Sequence, residues 1–189
     1  MDIRVVRTKK LLRDALLDLL RDKPVEKITP TELCRKATVN RNTFYTHYAS
    51  PVAVLEEVED TLVDTVDSAV HTAATPVEAI TALCRMLRDN PRLAGALFSK
   101  CNSARVAQRV FAVTNRFNLA KMDAQENDLT PHYRQMLSNY TIMGSAAVLE
   151  YWVQTGMEED PAQVAAFIYR VSRQGSAAVT KDKNAPERA

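Results

Sequence analysis

The sequence predicts an all-α fold, and three observations support that prediction. The chain has only 4 glycines in 189 residues, whereas an all-β chain needs glycine at its turns. Six of the 8 prolines directly follow a Ser, Thr, Asn or Asp, which is the order of a capping residue and the first residue of a helix. Between these pairs the apolar residues recur every three or four positions, and no strand-like alternation is found.

The pairs of capping residue and proline mark six helix starts: Thr29-Pro30, Ser50-Pro51, Thr75-Pro76, Asn90-Pro91, Thr130-Pro131 and Asp160-Pro161. Proline suits the first helical position because its missing N–H would be unpaired there anyway. The segments "TPTE" and "TPVE" add a glutamate at the third helical position and predict capping boxes, and Ile28 and Leu33 are spaced as a hydrophobic staple for the first. The predicted helices are 3–22, 30–36, 41–48, 51–72, 76–89, 91–99, 103–122, 131–155 and 161–179.

The predicted helices divide the chain into two domains. Three short helices come first, and a longer helix from residue 51 leads into a larger helical part. We therefore predict a small domain at 1–50, a larger helical domain at 51–180, and a polar, mobile tail at 181–189.

The charges are distributed unevenly. Residues 1–48 hold 11 Lys and Arg against 6 Asp and Glu, whereas the remainder holds 14 against 17, so the net charge of +2 conceals a basic amino-terminal end. A concentrated positive field is expected where a protein meets a polyanion such as DNA. A basic helix face that contacts only solvent would give the same count, so charge alone leaves both interpretations open.

Several classes of protein are disfavoured. No run of about 18 uncharged apolar residues is present and "MDIRVVRTKK" lacks the apolar part of a secretory signal, so a cytoplasmic protein without membrane contact is expected. Three cysteines without paired spacing are expected to be reduced and buried: Cys34, Cys84 and Cys101. There is no metal-ligand spacing or glycine-rich phosphate loop, and the three histidines are isolated, so neither an enzyme nor a cofactor is predicted.

The most informative segment is "ATVNRNTFYTHYASP" at residues 37–51. The predicted helices 30–36 and 41–48 are joined by about four residues, which is the spacing of a helix-turn-helix. Phe44 and Tyr48 lie one turn apart and are expected to hold the second helix against leucines of the first predicted helix. The other side chains of the second helix then face outward, and the protein's own core does not need them: Arg41, Asn42, Thr43, Tyr45, Thr46 and His47.

This outward set suits the major groove of DNA. Arg41 can reach guanine N7 and O6, Asn42 can pair with adenine, and Thr43 can contact a base, a phosphate or a thymine methyl. Tyr45 and His47 are better suited to donate to phosphates.

The start of helix 30–36 is a second candidate contact. Its free N–H groups favour an anion, and Thr29 and Thr31 lie at that end. A phosphate of the same DNA is the expected partner.

Residues from about 7 to 60, and "ITPTELCRKATVNRNTFYTHYASPVAVLEEV" above all, resemble the DNA-binding domain of the TetR family of bacterial transcriptional regulators. The family's Thr-aromatic-Tyr and His-aromatic pattern is present as "TFY" at 43–45 and "HY" at 47–48. The resemblance implies a homodimer on a pseudo-palindromic operator. It also implies that the recognition positions are Asn40, Arg41, Asn42, Thr43, Tyr45 and His47.

The sequence departs from the family pattern at two positions. Thr38 occupies the turn position where the family usually has glycine, and a β-branched residue with positive φ would be strained, so either the turn is altered or Thr38 has negative φ. Pro51 replaces a lysine that commonly pairs with phosphate in the family, which puts one backbone contact in doubt.

The carboxyl-terminal part resembles, more weakly, the corresponding domain of one TetR subgroup. The segment that carries this resemblance is "LEYWVQTGMEEDPAQVAAFIYRV", with a Trp-containing turn and a capped last helix. This weaker resemblance implies a likeness to members of the subgroup that look like regulators or coactivators of sugar or dihydroxyacetone metabolism.

The helices 131–155 and 161–179 are candidates for a dimer interface. Both combine apolar residues with small ones, which permit close helix approach, and by family resemblance they would form a four-helix bundle with a second subunit. The alternative is that they pack inside one subunit. The candidate interface residues are Gly144, Ala147, Tyr151, Phe167, Ile168, Val171 and Gly175.

A pocket for a small-molecule effector would lie among helices 76–122 and 131–155. An apolar cavity with a few polar groups is the usual form, although residues of this kind at helical spacing are also ordinary core. The candidates are Met86, Phe98, Phe111, Phe117, Met122, Tyr140, Met143 and Trp152.

The sequence therefore favours a dimeric DNA-binding transcriptional regulator, expected to be a repressor. A ligand in the larger domain would move helix 51–72 and change the spacing of the two recognition helices. The alternative is a helical interaction or coactivator protein of the same fold that binds a protein partner instead of an operator.

Overall fold

The computed structural model describes residues 3–99 and 129–181, with side chains up to residue 175 in the last helix. Regular structure in these ranges is entirely helical, which confirms the predicted fold class. The helices are α1 (Ile3–Leu20), α2 (Pro30–Ala37), α3 (Arg41–Tyr45), α4 (Pro51–Thr72), α5 (Pro76–Asp89), α6 (Pro91–Leu97), α7 (Pro131–Gln154) and α8 (Pro161–Lys181), with a 3-10 turn at Val25–Lys27. The helix predicted at 103–122 and the tail from residue 182 lie outside the described residues.

The helix starts follow the predicted caps in five of six cases. The side-chain oxygens of Thr29, Ser50, Thr75, Thr130 and Asp160 each accept a hydrogen bond from a backbone N–H in the first turn of the following helix. Such caps satisfy N–H groups that have no partner inside the helix. Asn90 differs: it precedes α6 with φ −128° and ψ 66°, and its side chain makes no capping hydrogen bond.

Two compact units are formed, and in the described residues the first contains 3–64 and 90–99. In this unit α1 packs against α2 and α6, and α2 packs against α3. Its core is built on side chains that are at most 2% exposed, among them Leu12, Leu16, Leu33, Phe44 and Leu55. Burial of such side chains stabilises a fold by about 1.5–3 kcal/mol each, so α3, which is only five residues long, depends on this core for its position.

The second unit contains 65–89 and 129–181 of the described residues, so α4 contributes to both units. Within it α8 packs against α5 and α7, and the interior holds Cys84, Leu87, Trp152, Ala165 and Ile168. The domain boundary that we predicted after residue 50 remains a prediction. None of the helices in the described ranges is long and apolar enough to cross a membrane.

Two of the three cysteines are buried free thiols, as predicted. Burial raises the pKa of the Cys34 thiol and raises that of Cys84 to about 11, so both stay protonated near neutral pH. Cys101 lies outside the described residues.

Candidate nucleic-acid interface

The start of α2 is fixed by the predicted capping box. The Thr29 Oγ1 accepts from the Glu32 N–H at 3.2 Å, and Lys23 donates to the Glu32 carboxylate at 2.6 Å. The Lys23 hydrogen bond is the main reason that the pKa of Glu32 is lowered, and the Thr29 backbone amide adds to the shift. Thr29 and Thr31 are both exposed, so this end of the helix is open to a ligand.

The turn after α2 has the left-handed geometry that glycine usually provides. Thr38 lies at φ 56° and ψ 42°, so the predicted alternative of a negative φ is wrong. The turn is kept because the Thr38 N–H donates to the Arg35 carbonyl at 3.3 Å and the Val39 N–H donates to the Cys34 carbonyl at 3.0 Å. These two bonds close the end of α2 as in a Schellman motif, and Thr38 carries the conformational strain.

Helix α3 begins where predicted and ends earlier. Asn40 lies before its first residue, and the Asn40 Oδ1 accepts from the Asn42 N–H at 2.8 Å. The helix ends at Tyr45 instead of residue 48 because the His47 and Tyr48 N–H groups both donate to the Phe44 carbonyl, which tightens the chain into a turn. That turn places Tyr48 in the core while α3 remains a single helical turn and a half.

The structure buries both predicted anchors of α3 and exposes part of the predicted outward set. Phe44 is fully buried and Tyr48 is 6% exposed, with their ring centroids 6.1 Å apart. Thr43 and His47 are half-buried. The remaining candidate residues are exposed: Asn40, Arg41, Asn42, Tyr45 and Thr46.

Arg41 and Tyr45 contact each other one turn apart on α3. The Arg41 Nη2 lies 3.5 Å from the Tyr45 hydroxyl, and the guanidinium carbon lies 5.9 Å from the ring centroid. Since 6 Å is about the limit for a cation–π contact, this arrangement holds the guanidinium loosely beside the ring. Its N–H donors remain available to a ligand because both side chains are exposed.

A charged cluster behind α3 was not predicted from the sequence. The Lys9 Nζ donates to the Glu57 Oε2 at 2.7 Å, the Arg13 Nη2 lies 3.6 Å from the Glu57 Oε1, and the Lys9 Nζ also lies 5.2 Å from the centroid of the Tyr48 ring. Burial alone would raise the pKa of Glu57, but the hydrogen bond and charge of Lys9, with smaller effects of Tyr48 and Arg13, outweigh it and the pKa is lowered. Lys9 and Glu57 are 48 positions apart, so no local pattern could have indicated their contact.

The predicted effector site remains a prediction, and the candidate residues that the structure describes differ in exposure. Met86 and Phe98 are half-buried and belong to different units, whereas Tyr140 and Met143 are 70% and 52% exposed on α7. Trp152 is 3% exposed and lines an open groove of about 280 Å³ between α7 and α8. Phe111, Phe117 and Met122 lie outside the described residues.

An apolar stripe runs along the outward side of α7. Its spacing of three or four residues keeps it on one helix face, and it consists of Met136, Tyr140, Met143, Ala147 and Tyr151, all exposed. On α8, Phe167 and Val171 are about half exposed, and Gly144 and Gly175 are also exposed. Ile168 differs from the other interface candidates because it is 3% exposed and packs inside its own unit.

Trp152, which lines the groove between α7 and α8, has an unsatisfied donor. The indole Nε1 of Trp152 is buried without a hydrogen-bond partner among the described residues. The groove is lined by Val148, Tyr151, Trp152, Glu159, Gln163, Val164 and Phe167. Among the described residues, no group of three His, Cys, Asp or Glu side chains is arranged to hold a metal ion.

Comparisons with known proteins complete the description. The family model TetR_C_8, a transcriptional regulator C-terminal region, matches residues 74–174. The "Uncharacterized HTH-type transcriptional regulator YxbF" of Bacillus subtilis (strain 168) is 21% identical over 168 residues, which cover 86% of this chain and 44% of that protein. The chain therefore spans less than half the length of this curated relative.

Two solved structures share the fold. A TetR transcriptional regulator from Streptococcus agalactiae 2603V has a TM-score of 0.67 and 17% identity, covering 89% of this chain and 95% of that one. The "Dihydroxyacetone kinase operon activator DhaS" has a TM-score of 0.56 and 12% identity, covering 90% and 97%. The structural likeness shows the fold alone, whereas the family model matches more than half of the sequence, so the chain belongs to the TetR family of transcriptional regulators.

Proposed function

We propose that this chain is a homodimeric regulator that binds a pseudo-palindromic operator and represses transcription in the cytoplasm until a small molecule releases it. One observation carries the proposal: α3 buries Phe44 and leaves Arg41, Asn42 and Tyr45 exposed on one short helix. A recognition helix of a helix-turn-helix protein enters the major groove and contacts base edges in this way.

The residues of α3 and its flanks take different roles in the proposed complex. Arg41 pairs with a guanine, and Asn42 pairs with an adenine. Thr43 and His47, which are half-buried, contact the DNA at the edge of the helix, and Tyr45 donates to a phosphate. The Thr46 hydroxyl already donates to the Thr43 carbonyl at 2.7 Å, so its proton is not available to a phosphate. The Asn40 Oδ1 already caps the helix, so only its amide N–H₂ group is available to DNA.

The exposed start of α2 supplies a second phosphate contact. Pro30 has no N–H and the Glu32 and Leu33 N–H groups both donate to Thr29, so the Thr31 N–H and the exposed Thr29 and Thr31 hydroxyls are the donors offered to an anion. The helix dipole favours an anion at this end. Two such contacts, at α2 and α3, would fix the register of the protein on one half-site.

The exposed stripe on α7, together with Phe167 and Val171 on α8, supports the homodimer. Large apolar side chains that are about half exposed or more on adjacent packed helices are characteristic of an interaction surface. In a twofold-symmetric interface the same surface is used by both subunits, and Gly144 and Ala147 would let the two α7 helices approach closely. Two recognition helices would then meet half-sites about 34–36 Å apart, or a multiple of that spacing.

Selection of bound duplexes from a random pool, at a stated physiological salt concentration, tests the proposal. We expect an enriched inverted repeat from the wild-type protein. The double variant Arg41→Ala, Asn42→Ala should enrich no repeat although its helix content and dimer mass are unchanged, because both positions are exposed. If the folded, dimeric wild-type protein also enriches nothing, the operator-binding function is wrong and a protein-binding coactivator of the same fold is favoured.

Transcription from a promoter that carries the selected repeat decides the direction of regulation. Repression is expected, and activation would contradict that part of the proposal. A small-molecule effector would then be detected as release of the protein from the repeat.

A further inference from the structure

We infer that Lys9 is a positioning residue: its ammonium group joins α1 to α4 and to the turn after α3, and so holds α3 in its DNA-binding orientation. The inference rests on the proposed function, in which α3 reads base edges. A lysine in a basic amino-terminal end would ordinarily be expected to contact a phosphate. The Lys9 ammonium is instead engaged by the protein's own side chains.

Helix α3 is too short to keep its position by its own hydrogen bonds. A helix of five residues depends on the side chains that attach it to the core. Those side chains are Phe44 inside the helix and Tyr48 three residues after its end. The Tyr48 N–H donates to the Phe44 carbonyl at 2.9 Å, and the two ring centroids lie 6.1 Å apart. A displacement of the Tyr48 ring would therefore move the carboxyl-terminal end of α3.

The Lys9 Nζ contacts both this ring and a carboxylate of α4. It donates to the Glu57 Oε2 at 2.7 Å and lies 5.2 Å from the Tyr48 ring centroid, inside the range of about 6 Å for a cation–π contact. Arg13, one turn further along α1, lies 3.6 Å from the Glu57 Oε1, so α1 engages both oxygens of the carboxylate. One ammonium group thus connects three segments of the first unit.

The surroundings of Lys9 differ from those of its neighbour Lys10. The Lys9 side chain is 27% exposed and that of Glu57 is 33% exposed, so water and salt screen this pair less than an exposed one. The Lys10 side chain is 71% exposed, and its partner Asp14 lies on the same helix. The Lys10–Asp14 pair joins no second helix, which makes Lys10 the matched control.

Three roles of Lys9 predict different effects of Lys9→Met, which removes the charge and keeps most of the length of the side chain. A positioning role lowers the affinity for the operator alone, because contacts to base edges require α3 to lie at a fixed depth and angle. A phosphate contact would weaken every duplex alike and reduce the slope of log affinity against log salt by about 2 in a dimer. A merely structural contact would lower the free energy of unfolding and leave both affinities unchanged.

The first test measures the Kd for the selected repeat and for an unrelated duplex across a salt series, well below the unfolding temperatures. For Lys9→Met we expect the operator Kd to rise about 3- to 10-fold, with the wild-type Kd for the unrelated duplex and the wild-type salt slope. Lys10→Met should keep the wild-type ratio of the two constants. An equal loss of that ratio in Lys10→Met, a uniform loss with a changed slope, or an unchanged operator Kd in Lys9→Met would each overturn the inference.

A double-mutant cycle tests whether Lys9 acts through the carboxylate of α4. If Lys9 and Glu57 form one connection, the operator Kd of the double variant Lys9→Met, Glu57→Gln should be close to that of the weaker-binding single variant. Losses that multiply would show that the two residues act separately, and would overturn the connection between α1 and α4.

Hydrogen exchange tests the positioning without DNA. The N–H groups at 44 and 46–48 donate to carbonyls of α3 or of its capping residue, so their exchange reports on α3 and the turn after it. Relative to the core amides at 12–17, we expect faster exchange there in Lys9→Met than in the wild type and in Lys10→Met. No change, or an equal increase at 12–17, overturns the inference. Faster exchange confined to α3 and its turn, in a protein that enriches no operator, supports the positioning and rejects the proposed function.

Discussion

Thr38 shows that one residue can bear a conformational cost for the geometry of a whole motif. An L-residue in the left-handed region pays about 1–2 kcal/mol, and a branched Cβ makes that region less accessible still. The cost is borne because the turn between α2 and α3 is set by two backbone hydrogen bonds and by the burial of Ala37, with Val39 packed against the core. The sequence indicated that a β-branched threonine would be strained by the positive φ of this turn. It could not indicate whether the turn would change or the threonine would accept the strain.

Thr38→Gly should therefore raise the free energy of unfolding by about 0.5–1 kcal/mol. Glycine removes the strain, and its greater freedom in the unfolded chain offsets part of the gain. The measurement is the denaturant midpoint in urea, with Thr38→Val as the control because valine keeps the branched Cβ. A Thr38→Gly protein less stable than the wild type would show that the threonine hydroxyl contributes more than the strain costs.

Glu57 makes the free energy of unfolding of the first unit depend on pH in the acidic range. Its pKa is lowered from 4.5 in the folded protein, so its contribution is complete above the unfolded value and is lost as the pH falls through the folded value. We expect the stability difference between wild type and Glu57→Gln to be constant near neutral pH and to shrink below about pH 4.5. Glu56→Gln, an exposed neighbour, is the control and should show a smaller difference. A difference that grows on acidification would contradict the assigned direction of the pKa shift.

At the scale of the helix, the capping residues in the sequence predicted where helices begin better than the sequence pattern predicted where α3 ends. A capping oxygen followed by proline fixes a start within a few residues, and five of the six caps form as expected. The end of α3 was wrong by three residues because it is set by Tyr48 entering the core, which is a tertiary contact. The exposure of Arg41, Asn42, Tyr45 and Thr46 could be predicted because these residues remain once the two aromatic anchors are assigned. Thr43 and His47, which were also expected to face outward, are half-buried.

Arg41→Ala should reduce discrimination at one base pair of the operator by about 1–3 kcal/mol. The side chain is exposed, so the fold and the subunit association should not change. Competition between single-base variants of the operator measures the effect. Unchanged base preference at every position would remove Arg41 from base readout.

Tyr45→Phe should weaken binding to all duplexes alike, by about 1 kcal/mol, if the hydroxyl donates to a phosphate. The ring that lies beside Arg41 is kept, so base preference should not change. Tyr45→Ala is the comparison, because it also removes the support of the Arg41 guanidinium and should alter base preference. An altered preference in Tyr45→Phe itself would contradict the phosphate role.

At the scale of the whole molecule, family membership confirms the predicted all-α fold and the prediction that the chain is not an enzyme. Contacts between residues distant in sequence could not be predicted. The Lys9–Glu57 pair is one example, and the burial of Ile168 is another, since the helical pattern of α8 does not distinguish its own interior from a subunit interface. The exposed fraction of each side chain in a single subunit distinguishes a residue of that subunit's interior from a candidate for the subunit interface.

Gly144→Leu should weaken the proposed dimer without harming the single chain. A Cβ at Gly144 meets no atom within 4 Å, and leucine forms helix better than glycine by about 1 kcal/mol. Sedimentation at decreasing concentration should show dissociation at a higher concentration than for the wild type. Ala82→Leu, on the exposed side of α5 in the same unit, is the control. A Gly144→Leu dimer as tight as the wild type would exclude this face as the interface.

The five-residue length of α3 has a consequence for how this protein can change over evolutionary time. Phe44 is the one fully buried side chain of the helix, so most of its other positions can mutate without a penalty in folding. If α3 reads an operator as proposed, new base preferences are accessible through single substitutions that leave expression and stability intact. A library randomised at positions 41, 42 and 45 should yield mostly folded proteins, and a duplicated copy of the gene could acquire a different set of target promoters in few steps.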